Sequence, residues 1–342
     1  LTVKDVAENS GVSAPAVSLI LNGRGRYAEK TRRRVLDVAQ KMGYRPNTSA
    51  RATRTGRFGS VAVLQGTNPH RSLLPSELLN GYSQSLEAMD MGLSFTRVSD
   101  EQIQDPTTLP RLLRERSCDG YLINYNTLIP IALERIIEQH RLPAVWVNSK
   151  HATDCVYHND YQASRDATEL FIAQGHCRIA YMHRSFLAIN DHTAVHYSDR
   201  DRYAGYSDAM IQAGLTPRLL VGSQALHPDQ SLTSHQALQW AGDWMCQSDH
   251  PTAVVTYQMD SAMVLLSAAM TKGLHVGTDI CLHTFASHQI NKWALPISTS
   301  QLQLEEAGRL AVAMLADKLS NGNQAAQPLA VKIVYQPAFN MD

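Results

Sequence analysis

"GVSAPAVSLILNG", residues 11–23, reads as a tight turn followed by one short helix. Gly11 suits a left-handed turn position. Ser13 stands where an N-cap is expected, and Pro15 falls in the first turn, where a missing N–H costs little. Val17, Ile20 and Leu21 share one side of the helix, and Asn22-Gly23 ends it. Upstream, Thr2-Val3-Lys4-Asp5 has the pattern of a capping box, and Val3, Val6 and Ala7 follow at helical spacing. Downstream, a third helix is predicted from Glu29 to Met42. Thr31, Val35, Val38, Ala39 and Met42 form its inward stripe, and Arg32, Arg33 and Arg34 project outward. Three short helices with a glycine turn and a basic rim form a helix-turn-helix bundle, and the second helix is the one that would enter a DNA groove.

That helix is unusual as a reader of bases. From Ser13 to Leu21 it carries no Arg, Lys, Asn or Gln. Its available side chains are Ser13, Ala14, Ala16, Ser18 and Leu19. Ala and Leu can touch a thymine methyl, and Ser bonds either kind of base pair. Binding strength must then come largely from phosphate contacts, with Thr2, Asn22, Arg24, Arg26, Tyr27 and Arg32 as candidates. The expected operator has A·T-rich half-sites, and its binding is steeply salt-dependent.

The charge distribution points the same way. The 342 residues carry a formal net charge of zero. Residues 1–57 hold 12 Lys and Arg against 4 Asp and Glu, and the remainder holds 19 against 27. A basic head on an acidic body is the footprint of a nucleic-acid-binding module joined to something else. The 5 cysteines are dispersed without a CxxC pair, so neither a disulfide framework nor a zinc knuckle is expected. No signal peptide or membrane span is expected either, which fits a cytoplasmic protein.

Beyond residue 58, apolar strand-like runs at 60–66, 118–125, 142–149, 177–183, 252–257 and 279–285 alternate with helical patterns. Nearly continuous apolar strands between helices predict buried parallel sheets, and the length suits two such lobes. There is no GxGxxG or GxxxxGK loop to cradle a phosphate. His183, His192 and His196 lie close in sequence but lack a metal-ligand spacing, and a solvated loop is expected there. No catalytic constellation, cofactor or metal is predicted.

"DVAENSGVS", "VSLILNG", "KTRRRV" and "GYRPN" follow one another as they do in the LacI/GalR family of bacterial repressors, which the chain resembles. The body adds "AQGHCRIAYM", "RYAGYSDAM" and "LPISTSQLQLEEAGRLAVAML", so the resemblance runs along essentially the whole chain. It implies an α/β protein. An all-α helix-turn-helix domain at 1–46 and a hinge at 47–58 precede a two-lobed body like that of periplasmic binding proteins. The first lobe would comprise 59–157 with 287–320, and the second 158–286 with 321–342. The chain would thus cross between lobes near 157–159, 286–290 and 320–324.

The resemblance further implies a homodimer on double-stranded operator DNA, with the hinge segments folding in the minor groove. Asn47, Arg51, Thr53 and Arg54 would contact DNA there. Thr53 replaces the family's intercalating Leu, so a weaker kink is expected. A small-molecule effector, a sugar or related metabolite, would bind between the lobes. Asn124, Asn148, Tyr157, Arg202 and Gln258 match the family's contact positions, with Arg202 as a fork for hydroxyls or an anion. Ala286 and Met259 stand where family members carry carboxylates, which favours an anionic or less hydroxylated effector. The sequence leaves inducer and corepressor equally open. It also keeps a constitutive DNA binder with a degenerate pocket, and a solute-binding protein, as alternatives. No heptad tail suggests a C-terminal coiled coil, so no tetramer of that kind is expected.

Overall fold

The computed structural model describes residues 1–45, 52, 56–68, 72–105, 107–183, 196–220, 234–287 and 294–338. Contacts divide the chain into two compact units: Leu1–Gly59 with Ser117–Asp119, and Ser60–Arg116 with Gly120–Asp342.

The first unit carries α1 (Val3–Ser10), α2 (Ala14–Leu21) and α3 (Glu29–Lys41). The Thr2 hydroxyl accepts the Asp5 N–H, and the Asp5 carboxylate accepts the Thr2 N–H at 2.6 Å, so the capping box is complete. Gly11 takes the left-handed conformation at φ 62° and turns the chain into α2. Ser13 occupies the N-cap of α2, but its side chain makes no capping bond, contrary to expectation. Pro15 at the second helical position removes one of the two N–H groups that such a cap would serve. Val6, Val17, Ile20, Val35 and Ala39 form the small core, flanked by Val38, Met42 and Tyr27.

The second unit holds two parallel sheets. In chain order its elements are β1 (Ser60–Gly66), α4 (Ser76–Glu87), β2 (Gly92–Val98), α5 (Asp100–Gln104), α6 (Arg111–Arg114), β3 (Gly120–Asn124), α7 (Ile131–Gln139), β4 (Ala144–Val147) and β5 (Cys155–His158). There follow α8 (Asp160–Ala173), β6 (Ile179–Met182), α9 (Tyr197–Gln212), β7 (Arg218–Leu220), α10 (Ser234–Met245), β8 (Ala253–Thr256), α11 (Met259–Thr271) and β9 (Cys281–Ala286). The last elements are β10 (Ile297–Gln301), α12 (Leu304–Ser320), β11 (Leu329–Val331) and β12 (Val334–Gln336). The first sheet runs β11-β5-β4-β3-β1-β2, and the second runs β12-β10-β9-β8-β6-β7 with only β12 antiparallel. Central strands such as β3 and β8 are buried throughout, because helices cover both faces.

The sheet pairings move two expected lobe boundaries. Ile297–Gln301 belongs to the second sheet and Leu329–Val331 to the first. The chain therefore crosses at Asn159, at 302–303 and at 332–333, and not near 286–290 or 320–324. The physical reasons lie in buried polar contacts. The His283 ring on β9 bonds the Ser298 hydroxyl through Nδ1 and the Ser300 hydroxyl through Nε2, each at 2.9 Å, which holds β10 beside it. Asp154 accepts the buried Lys318 ammonium at 2.6 Å and the Ala326 N–H at 2.8 Å, which leads the chain into β11 against β5.

Candidate functional site

On the head, α2 presents Ser13 and Leu19 as exposed side chains, with Ala14, Ala16 and Ser18 half-buried. Leu19 is 42% exposed although its neighbour Ile20 is buried, so its position serves the surface rather than the core. The Asn22 amide donates to the Ser18 carbonyl at 2.6 Å and closes α2. Arg24 and Arg26 are exposed. Arg32 reaches back to the Gly25 carbonyl at 3.3 Å and braces the loop between α2 and α3. Gly25 has φ 79°, and a side chain there would meet the Tyr27 ring at 2.6 Å. Tyr27 itself packs against the head core. Asn47, Arg51, Thr53 and Arg54 lie outside the described residues, as does His192.

The carboxyl ends of β4 and β5 in the first lobe meet the start of α9 in the second, and the cleft is the seam between them. On the first lobe, Asn124 ends β3, wholly buried, and its amide donates to the Leu73 carbonyl at 3.0 Å. Asn148 follows β4 with φ 54°. Its carbonyl accepts from the Asn126 amide at 2.8 Å. Tyr157 on β5 meets the Tyr197 ring edge-on at 5.8 Å, and the Lys150 ammonium lies 5.2 Å from the Tyr157 ring centre.

On the second lobe, Arg202 of α9 is buried and already engaged. Its Nε donates to the Asp160 carboxylate at 2.6 Å, and its Nη1 donates to the Tyr257 carbonyl at 2.5 Å. The guanidinium lies 3.9 Å from the Phe285 ring centre and 4.7 Å from that of Tyr257. Gln258 stands apart, exposed at the N-cap of α11 with no capping bond. Thus Asn148 meets His196 and Tyr157 meets Tyr197 at the start of α9, the helix that carries Arg202, whereas Gln258 makes none of these contacts.

Three expectations meet a different geometry here. Arg202 is not an open fork awaiting an anion, because Asp160 balances its charge in place. Acids stand near these residues that the sequence reading did not count: Asp199 bonds the buried His183 ring, and Asp201 takes the Lys150 ammonium at 2.6 Å. His183 is buried and His196 half-buried, and both are hydrogen-bonded rather than part of a solvated loop. Burial pushes the His158 imidazole down to about 4 and also lowers that of His196. Asn126, Lys150, Ser198, Asp199, Asp201 and Tyr257 were not singled out from the sequence, because partners such as Asp201 for Lys150 and Tyr257 for Ser198 lie 51 and 59 residues away.

Ser149, His151 and Glu134 fall in the order of a nucleophile, base and acid. The Ser149 hydroxyl is 2.9 Å from His151 Nε2, but Glu134 is 4.0 Å from Nδ1 and Ser149 is buried. That geometry fastens a turn and does not expose a nucleophile. Among the described residues no cluster could hold a metal, and no helix is long and apolar enough to cross a membrane.

Residues 2–47 match the family model "Bacterial regulatory proteins, lacI family", and residues 168–335 match "Periplasmic binding protein-like domain". A curated relative, the HTH-type transcriptional repressor PurR of Photobacterium profundum, is 25% identical over 328 residues, covering 94% of this chain and 93% of its own. The HTH-type transcriptional regulator RegA of Clostridium saccharobutylicum is 26% identical over 331 residues, covering 96% of this chain and 95% of its own. Among solved structures, the Lac repressor dimer bound to operator and the anti-inducer ONPF superposes with a TM-score of 0.77 at 20% identity, covering 99% and 98% of the two chains.

Proposed function

We propose that this chain, whose head belongs to the lacI family of bacterial regulatory proteins and whose body is periplasmic-binding-protein-like, is a sequence-specific transcriptional repressor that works as a homodimer on chromosomal operator DNA. The observation that carries the reading is the head itself. A capped helix-turn-helix bundle places a small, methyl-seeking α2 surface beside exposed arginines. Its reading side would seek A·T-rich half-sites, with Ser13, Ala14, Ala16, Ser18 and Leu19 toward the bases. Arg24 and Arg26 would hold phosphates, and Asn47, Arg51, Thr53 and Arg54 would add hinge contacts.

The body would bind a small molecule, a sugar or related metabolite, between Asn124, Asn148, Tyr157 and the second lobe. Such a ligand acts on DNA binding only through different affinities for two lobe arrangements, a coupling of about 1–3 kcal/mol in typical systems. A ligand-independent repressor is the second reading. It is favoured by Arg202, whose charge and two of its donor nitrogens are satisfied by the chain itself.

The test is selection of genomic fragments by the purified protein, followed by footprinting with and without metabolite pools. Protected palindromes with A·T-rich half-sites support the regulator reading. Failure to select any DNA sequence removes it. Protection that no metabolite alters removes the effector and leaves the second reading.

A further inference from the structure

Among the described residues, side chains join the lobes at three places, one of them the Tyr197 hydroxyl of α9, which accepts the His158 N–H of β5 at 2.8 Å beside the crossing. Lys150, on the loop after β4 of the first lobe, donates to Asp201 of α9 in the second at 2.6 Å. His196, the N-cap residue of α9, lies 2.7 Å through Nε2 from the Asn148 carbonyl of the first lobe. A carbonyl can only accept, so Nε2 carries the proton. Nδ1 must then accept, and it faces the Ser198 hydroxyl at 2.7 Å and the Ser198 N–H at 3.4 Å. The Ser198 oxygen lies 3.0 Å from the Tyr257 hydroxyl. The polarity runs one way: Tyr257 donates to Ser198, Ser198 to His196, and His196 across the cleft to Asn148.

We propose that His196 is a proton-sensitive latch between the lobes: the neutral ring holds the closed arrangement, and a second ring proton releases it. Protonating Nδ1 places N–H against N–H at Ser198 and puts a cation at the N-terminus of α9, where the helix dipole disfavours it. The charged and titratable groups around the ring are Asp160 of α8, Asp199 and Arg202 of α9, His158 of β5, Tyr197 of α9 and Tyr257 beyond β8. Arg202 opposes the imidazolium and the two carboxylates favour it, and burial carries the balance toward the neutral ring.

The direction of the pH effect follows from linkage. A ring that is harder to protonate when closed than when solvated stabilises the closed arrangement fully at alkaline pH. That stabilisation is lost as pH falls below the ordinary imidazole value, and it levels off below the lowered one. One proton changes the closed-to-open ratio by at most about tenfold per pH unit. The Lys150–Asp201 pair is a second contact between the lobes, independent of the His196 ring. What opening does to operator affinity rests on the regulator reading above. The latch itself is measured without DNA.

The experiment places a donor and an acceptor dye, through unnatural amino acids, at Glu138 of α7 and Met270 of α11, both exposed and on different lobes. Energy transfer in the full chain is followed from about pH 8 to about pH 5, at most a tenfold population change per unit. The wild-type signal should report opening as pH falls. His196→Gln keeps an amide donor for Asn148 and cannot titrate, so its profile should be flat. His235→Gln, at an exposed position of α10, should keep the wild-type profile. A flat wild-type profile, or a His196→Gln profile like the wild type, overturns the proposal. Should the variant misfold, nitrogen-15 imidazole NMR of the wild type decides independently. A Nε2–H neutral tautomer of His196 at neutral pH supports the latch, and a Nδ1–H tautomer or an imidazolium overturns it.

Discussion

Leu19 and Arg202 were both legible as residues, and they differ in how much of their role was. Leu19 lies on a helix whose inner face is set by spacing alone, so its exposure follows from Val17, Ile20 and Leu21. Replacing it tests the reading surface without disturbing the fold. Leu19→Arg should leave the melting temperature nearly unchanged and move half-site preference toward a guanine, since a bidentate Arg–guanine pair discriminates by about 1–3 kcal/mol. Binding-site selection with both proteins measures the shift. Arg202 was visible in "RYAG", but its partner Asp160 lies 42 residues earlier, beyond any local pattern. Removing one member of a buried pair strands the other, at a cost of about 3–5 kcal/mol. Arg202→Ala should therefore unfold at markedly lower urea, while Arg202→Met with Asp160→Leu should recover most of the loss. If the single variant melts like the wild type, the pair contributes nothing to stability.

Helix pairs explain two of the glycines in the quoted motifs. Gly308 of α12 lies against α4, where an added Cβ would sit 2.6 Å from the Leu78 carbonyl oxygen, and one at Gly81 would overlap the Glu305 carbonyl oxygen. Gly205 of α9 makes the same close approach to the Tyr161 carbonyl of α8. Gly308→Ala should destabilise by about 1–3 kcal/mol or more, because two backbones must separate. Denaturant unfolding measures it, and an unchanged midpoint would show that the helices shift freely. At this scale the central strands β1, β3, β4, β6, β8 and β9 were legible, since both of their faces are apolar. Edge strands β2 and β7 were not, because one side of each meets solvent or a loop. Strand β10, "ISTSQ", was hidden differently. It is buried, but its hydroxyls are satisfied by His283 on the next strand, and hydropathy does not register that exchange.

For the whole molecule, head and body carry opposite charge surpluses, and DNA binding should depend on salt through the head alone. If about 6–10 phosphates are neutralised, affinity should fall by about 10³–10⁵ between about 50 and 200 mM salt. A slope near zero would remove the phosphate clamp. The division into a basic bundle and a two-lobed body was legible from charge and periodicity, whereas the crossing points were not. They depend on which sheet each late strand joins. That arrangement also sets when the molecule can fold during synthesis. The core of the three-helix bundle lies within residues 3–44 and can form as soon as they leave the ribosome. The first sheet waits for Leu329–Val331 and the second for Val334–Gln336, so neither lobe is finished until both are nearly translated. A newly made chain would thus carry a folded helix-turn-helix bundle ahead of the two-lobed body. Proteolysis that trims a few residues past 328 would cripple both lobes in one cut.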